Sequence, residues 1–166
     1  MSDKREVILY SYKNYSIMQK QYLITVFMFA LIASSSFAQK LHSSQVPSII
    51  LNSFQQQFTK ARDVEWRLEK SVYKVDFEVG TFFPDHTVWY NEEGKMIRHK
   101  EEISKRQLPA SVLVSLNKDF KGFNASDIKQ ITEGKTIIYT MDMKNDSKEW
   151  NIKIDSSGKI LSRASD

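Results

Sequence analysis

The residues of this 166-residue chain that could do chemistry are few: three imidazoles, His42, His86 and His99, a generous set of carboxylates, and no cysteine. Asp85-His86 and the run His99–Glu102 come nearest to ligand clusters. Neither places two ligands one helical turn apart, as an H-E-x-x-H metal motif does. The histidines are therefore expected to be structural, with no metal site and no cofactor. Without thiols, disulfides and cysteine-based metal sites are excluded. No G-x-S-x-G nucleophile turn and no Gly-rich phosphate loop is present. Exposed pairs such as Glu92-Glu93 sit in a turn, where water keeps both ionised and useless as acids. No catalytic residue is expected, and the protein is predicted not to be an enzyme. Recognition is left, and for that the sequence offers Trp89, Thr87, Phe82, Phe83, Lys74 and Asp76.

The elements that would position these residues come in two copies. "VPSIILNSFQQQF" (Val46–Phe58) matches "LPASVLVSLNKDF" (Leu108–Phe120) at an offset of 62. In each, apolar residues recur at i, i+4, i+8 and i+12, the stripe of an amphipathic helix. Proline near the start suits a helix beginning, where its missing N–H costs little. The period then changes to two. "YKVDFEV" puts Tyr73, Val75, Phe77 and Val79 on one face and Lys74, Asp76 and Glu78 on the other, and "YTMDMK" does the same from Tyr139. "HTVWYNEEGKMI" (His86–Ile97) matches "WNIKIDSSGKIL" (Trp150–Leu161) at an offset of 64, with Gly94 and Gly158 in hairpin turns. Weaker strands are expected at Val64–Leu68 and Ile128–Thr132, with Trp66 in the core. The charged run Arg98–Arg106 reads as a solvated linker between repeats. The expected fold class is α+β: a tandem repeat, 46–104 and 108–166, of a helix followed by three to four antiparallel strands. Halves of this size need a shared sheet or core to be stable.

This alternation sends Val88 and Tyr90 toward the helix. Thr87 and Trp89 go to the opposite, wet face, beside Lys74 and Asp76. An exposed tryptophan there suits a protein-contact anchor, since it brings large area with little entropy to lose. The alternative is that a loop or the other repeat covers it. Phe82 and Phe83, beside Pro84, form either an exposed interface patch or a core cap with one ring on a neighbouring strand.

Further upstream, the apolar run Tyr22–Ala33 is too short for a membrane span, which takes about 20 residues. Lys20, the apolar core and Ser36-Phe37-Ala38 make a signal peptide over 18–38, cleaved after Ala38. Met18 then reads as the true start and 1–17 as a misassigned upstream segment. A long basic n-region and an uncleaved anchor are the alternatives. Four basic and two acidic residues precede Gln39, so the net charge of +4 falls to +2 in the mature chain 39–166. Its charges are interspersed, which argues against nucleic acid as a partner.

The two Val/Leu-Pro helix starts, "VEW" at Val64–Trp66, "YKVDFEV", the two "GK" turns and "QLP" at Gln107–Pro109 together resemble the PepSY-like family grouped with beta-lactamase-inhibitor-like proteins. The likeness covers about Val46–Ser162. Where that family often has Phe-Pro after the first helix, this chain has Phe58-Thr59. The resemblance implies a small exported module, periplasmic or secreted, that contacts proteins on its open sheet face and brings no catalytic residues with it. The expected function is an exported, non-enzymatic binding protein of the cell envelope. Its partner would be an envelope protein, such as a hydrolase or peptidase that it inhibits. The alternative is a small-ligand or envelope-sensing module that binds a peptide or another small molecule between the repeats.

Overall fold

The computed structural model describes residues 39–80 and 84–165. The signal peptide over 18–38 and the upstream segment 1–17 lie outside the described residues.

Each copy opens the same way. A 3-10 turn (Ser43–Gln45; Lys105–Gln107) is closed by a glutamine: Gln45 Oε1 accepts from the His42 N–H and Gln107 Oε1 from the Ser104 N–H, both at 2.8 Å. Pro47 and Pro109 follow at the helix caps, with φ of −53° and −57°, and start α1 (Ser48–Gln57) and α2 (Ala110–Asp119). The expected stripes are the buried faces. Val46, Ile50 and Phe54 are buried, with Phe58 half-buried; Leu108, Val112, Leu116 and Phe120 are all buried. Burying each such side chain stabilises by roughly 1.5–3 kcal/mol.

Nine strands are found among the described residues: β1 (Gln39–Leu41), β2 (Ala61–Glu69), β3 (Val72–Val79), β4 (Asp85–Tyr90), β5 (Met96–Glu102), β6 (Asn124–Glu133), β7 (Thr136–Lys144), β8 (Glu149–Asp155) and β9 (Ile160–Ser165). They form one antiparallel sheet in sequence order. The copies therefore share a sheet but not a core. Val75, Phe77, Val88, Tyr90 and Trp66 pack with α1, whereas Tyr139, Met141, Met143, Ile152 and Ile154 pack with α2. A cross-strand row runs Phe77, His86, Glu101, Gln130, Tyr139, Ile154. It joins both cores, so both helices cover the same face, and its second to fourth members, His86, Glu101 and Gln130, make a polar seam between them.

Two features of the copies are not visible in the hydrophobic pattern. A bulge breaks the register at Arg62/Glu65 and again at Ser126/Lys129, with Asp63 (φ +51°) and Asp127 (φ +49°) in the left-handed region that aspartate tolerates. The hairpin turns also press on the helices. A Cβ on Gly94 would lie 3.0 Å from the Ile49 carbonyl oxygen, and one on Gly158 2.6 Å from that of Ser111.

The reading of Arg98–Arg106 as a solvated linker is wrong. Most of it is β5, a central strand paired on both sides. It looks unlike a strand because His99 and Glu101 face the polar seam while Arg98, Lys100 and Glu102 face the side opposite the two helices, so no apolar alternation appears.

Candidate functional site: the sheet face opposite the two helices

The face opposite the helices is built from three cross-strand rows. Lys40, Arg67, Lys74, Trp89 and Arg98 stand abreast on β1–β5. Glu65, Asp76, Thr87, Lys100, Ile131 and Ile138 form the next row, and Glu102, Lys129, Thr140 and Lys153 a third.

Trp89 is half-buried rather than bare or sealed. Cations from both flanking strands bracket its indole, with the Arg98 guanidinium 4.7 Å and the Lys74 ammonium 5.8 Å from the ring centroid. Such contacts are worth about 0.5–1 kcal/mol at exposed sites and hold the ring in place. Lys74 is in turn tied to Asp76 (3.3 Å) and Glu69 (3.9 Å), and Arg98 to Glu133 (3.1 Å).

Thr87 lies on this face as its register requires, but only 3% of it is exposed, so its place in the sequence gave its side and not its depth. Its hydroxyl donates to Asp76 Oδ1 at 2.7 Å, while Asp76 Oδ2 accepts from Arg67 Nη1 at 2.8 Å. Asp76 is thus a hub for three strands. Lys74, Asp76, Thr87 and Trp89 come together; Phe82 and Phe83 lie outside the described residues.

Lys100 was not singled out from the sequence because it sat in the supposed linker. It stands beside Thr87, and among the described residues its ammonium has no carboxylate within ion-pair distance. Burial, reinforced by Lys129, pushes it below the usual lysine range, with Asp76 opposing. A hollow of about 360 Å³ opens here, lined by Glu65, Arg67, Asp76, Thr87, Lys100 and Lys129 among others.

On the helix side, the seam brings His86, His99 and Glu101 together, their ligand atoms within 4.8 Å of one another. The helix-spacing test misses this grouping. A hairpin about the Asn91–Lys95 turn sets 86 opposite 101 and 88 opposite 99, so the histidines meet diagonally. Burial pushes both imidazoles below the usual histidine range; for His86 the neighbouring His99 adds to this and Glu101 opposes it.

A family model described as "Putative beta-lactamase-inhibitor-like, PepSY-like" matches residues 35–83 and 71–162. Three solved structures resemble the chain. One from Bacteroides eggerthii, described as "putative periplasmic proteins", has a TM-score of 0.61 at 14% identity, covering 72% of this chain and 88% of that one. A DUF2874 family protein from Bacteroides uniformis has a TM-score of 0.59 at 16% identity, covering 72% and 88%. A BLIP-like protein from Bacteroides fragilis has a TM-score of 0.58 at 13% identity, covering 72% and 85%. At these identities the likeness is one of fold. No curated protein matches the chain.

Proposed function

The chain belongs to the beta-lactamase-inhibitor-like, PepSY-like family, and from that premise we propose that it is a binding module of the cell envelope that grips a partner protein through the sheet face opposite its two helices. The observation that carries this reading is Trp89, a large aromatic held between Lys74 and Arg98 on a face that neither helix covers. A pre-positioned ring loses little entropy on docking, the usual property of an interface anchor. Lys100 supplies the second element: a half-buried cation without an ion pair among the described residues, suited to a partner's carboxylate at the centre of the contact.

An envelope location is supported by the description of the Bacteroides eggerthii neighbour and by the leader read over 18–38. Among the described residues no helix is long and apolar enough to cross a membrane. The finer reading, an inhibitory role toward a hydrolase or peptidase, leans on the family's description as beta-lactamase-inhibitor-like. Binding is favoured over catalysis because the hydroxyl–carboxylate pair that this face shows among the described residues, Thr87 with Asp76, is closed to substrate by the burial of Thr87.

The test is site-specific photo-crosslinking in the bacterial envelope. A photoreactive residue at Trp89 should give a discrete heterologous adduct, while one at Asn117, exposed on α2, should not. Lys100→Met should weaken the adduct at unchanged or raised stability, because removing a half-buried charge relieves desolvation. Equal adducts from Trp89 and Asn117 would refute the assignment of the face. The hollow supports a second reading, in which a small zwitterionic ligand or a peptide end occupies it. A thermal-shift screen separates the two, since only a ligand of the native state raises the melting temperature.

A further inference from the structure

The polar seam on the opposite side of the sheet carries a site of a different kind. We propose that His86 Nδ1, His99 Nε2 and a Glu101 carboxylate oxygen bind a divalent transition-metal ion of the zinc type.

The geometry comes first. The two ring nitrogens are 3.1 Å apart. Nitrogens bound at about 2.1 Å to one ion, at an angle near the tetrahedral one, are separated by about 3.1–3.4 Å. The spacing that now accommodates a shared proton is therefore close to that of two ligands. Glu101 Oε2 lies 4.0 Å from His86 Nδ1, and a side-chain rotation that moves this oxygen by about an ångström brings it to ligand distance. Its other oxygen accepts from Gln130 Nε2 at 3.0 Å. That bond fixes the carboxylate from the neighbouring strand in the manner of an outer-shell partner.

The surroundings fit the same chemistry. Phe77 stacks on His86 at 5.2 Å and Phe58 lies 5.5 Å from His99, so the rings are walled on the core side. Burial favours the neutral, lone-pair-bearing form of both imidazoles. Glu101 remains 28% exposed, which leaves a path for the ion and a position for water. Two histidines, one carboxylate and an open position form a donor set that zinc accepts readily.

The second copy provides an internal comparison. The offset of 64 carries His86 onto Trp150, His99 onto Arg163 and Glu101 onto Ser165. There the Arg163 guanidinium sits 3.9 Å over the Trp150 ring and 4.9 Å over Phe120. That stack closes the equivalent corner of the core with no metal-ligating group at all. The architecture therefore does not demand two imidazoles and a carboxylate, yet the first copy has all three.

The experiment is a titration of the purified, chelator-stripped protein with Co2+, read by its visible d–d bands, and with Zn2+ against a chromogenic chelator. One equivalent should bind at neutral pH. His86→Ala and His99→Ala should each weaken binding by at least about 100-fold and Glu101→Gln by at least about 10-fold, since a lost ligand costs no less than a lost outer-shell partner, while His42→Ala should change nothing. Histidine C2–H resonances of the unsubstituted protein supply a readout that needs no variant: those of His86 and His99 should shift with Zn2+ and that of His42 should not. Absence of micromolar binding, binding that survives both seam variants, or resonances of His86 and His99 that stay still would each overturn the proposal.

Discussion

Gly158 is where one added carbon should cost the most. Its φ is +89°, and a Cβ there would lie 2.6 Å from both the Ser111 carbonyl oxygen and Ser115 Oγ. The left-handed backbone alone costs a non-glycine residue about 1–2 kcal/mol. Ser115 can rotate its hydroxyl aside, but the Ser111 oxygen belongs to the backbone of α2. Either the helix lifts or the turn opens, an overpacking strain of about 1–3 kcal/mol. Gly158→Ala should therefore destabilise by about 2–5 kcal/mol. Gly134 isolates the first term: its φ is +58° and no atom lies within 4 Å of its added Cβ. Gly134→Ala should cost about 1 kcal/mol. Gly94, with the Ile49 oxygen at 3.0 Å, should fall between the two. Thermal and urea unfolding read the series. At about 4 °C per kcal/mol for a domain of this size, Gly158→Ala lowers Tm by about 8–20 °C and Gly134→Ala by about 4 °C. Equal losses at the two positions would mean that the turn is not pressed against α2, and the matched turn–helix contacts of the two copies would fall with it.

Two further substitutions probe the first copy. The Tyr90 hydroxyl is buried with no hydrogen-bond partner among the described residues, and burial pushes its pKa up to about 12. Tyr90→Phe should raise stability by about 1 kcal/mol in urea unfolding, and a loss of that size would show the hydroxyl to be bonded. In a double-mutant cycle, Thr87→Val and Asp76→Ala should each cost about 1–3 kcal/mol with a coupling of about 1 kcal/mol, because each removes one end of the same 2.7 Å bond. Strict additivity would remove Asp76 from its place as the hub of this face.

Much of the fold was legible because period and position carry it. The stripe Val46-Ile50-Phe54-Phe58 and its counterpart from Leu108 could form only a helix face, and Tyr73–Val79 only a half-buried strand. The offset between copies located both hairpins. What stayed hidden depends on facts that side-chain polarity does not encode. β5 is polar on both faces because its helix side is the seam between two cores, so an apolar pattern could not reveal it. Alternation assigned Thr87 to the correct face but cannot say that neighbouring long side chains close over it. The glycines of the two "GK" turns were recognised for positive φ, whereas their pressure on the helices is a distance and leaves no trace in composition. His86 and His99 were judged by helical spacing, although the hairpin register implied by the turn at Asn91–Lys95 would have set them diagonally across two strands.

Comparing the two copies separates what the scaffold requires from what it carries. The copies agree where the backbone is constrained: the prolines at 47 and 109, the left-handed aspartates at 63 and 127, and the tight glycines at 94 and 158. The polar link between β3 and β4 also has a counterpart, since Asn151 donates to Asp142 at 2.9 Å as Thr87 does to Asp76. They differ where the first copy has its unusual chemistry. Trp89 corresponds to Lys153, Lys100 to Ala164, His86 to Trp150 and His99 to Arg163. The second copy folds around an equivalent core of its own without any of these first-copy side chains, so folding alone does not explain them. The two faces of the first copy differ: the side opposite the two helices holds an aromatic ring between two cations, and the seam gathers two imidazoles and a carboxylate. β4 and β5 contribute to both, so the indole of Trp89 and the imidazoles of His86 and His99 stand on opposite faces of the same two strands.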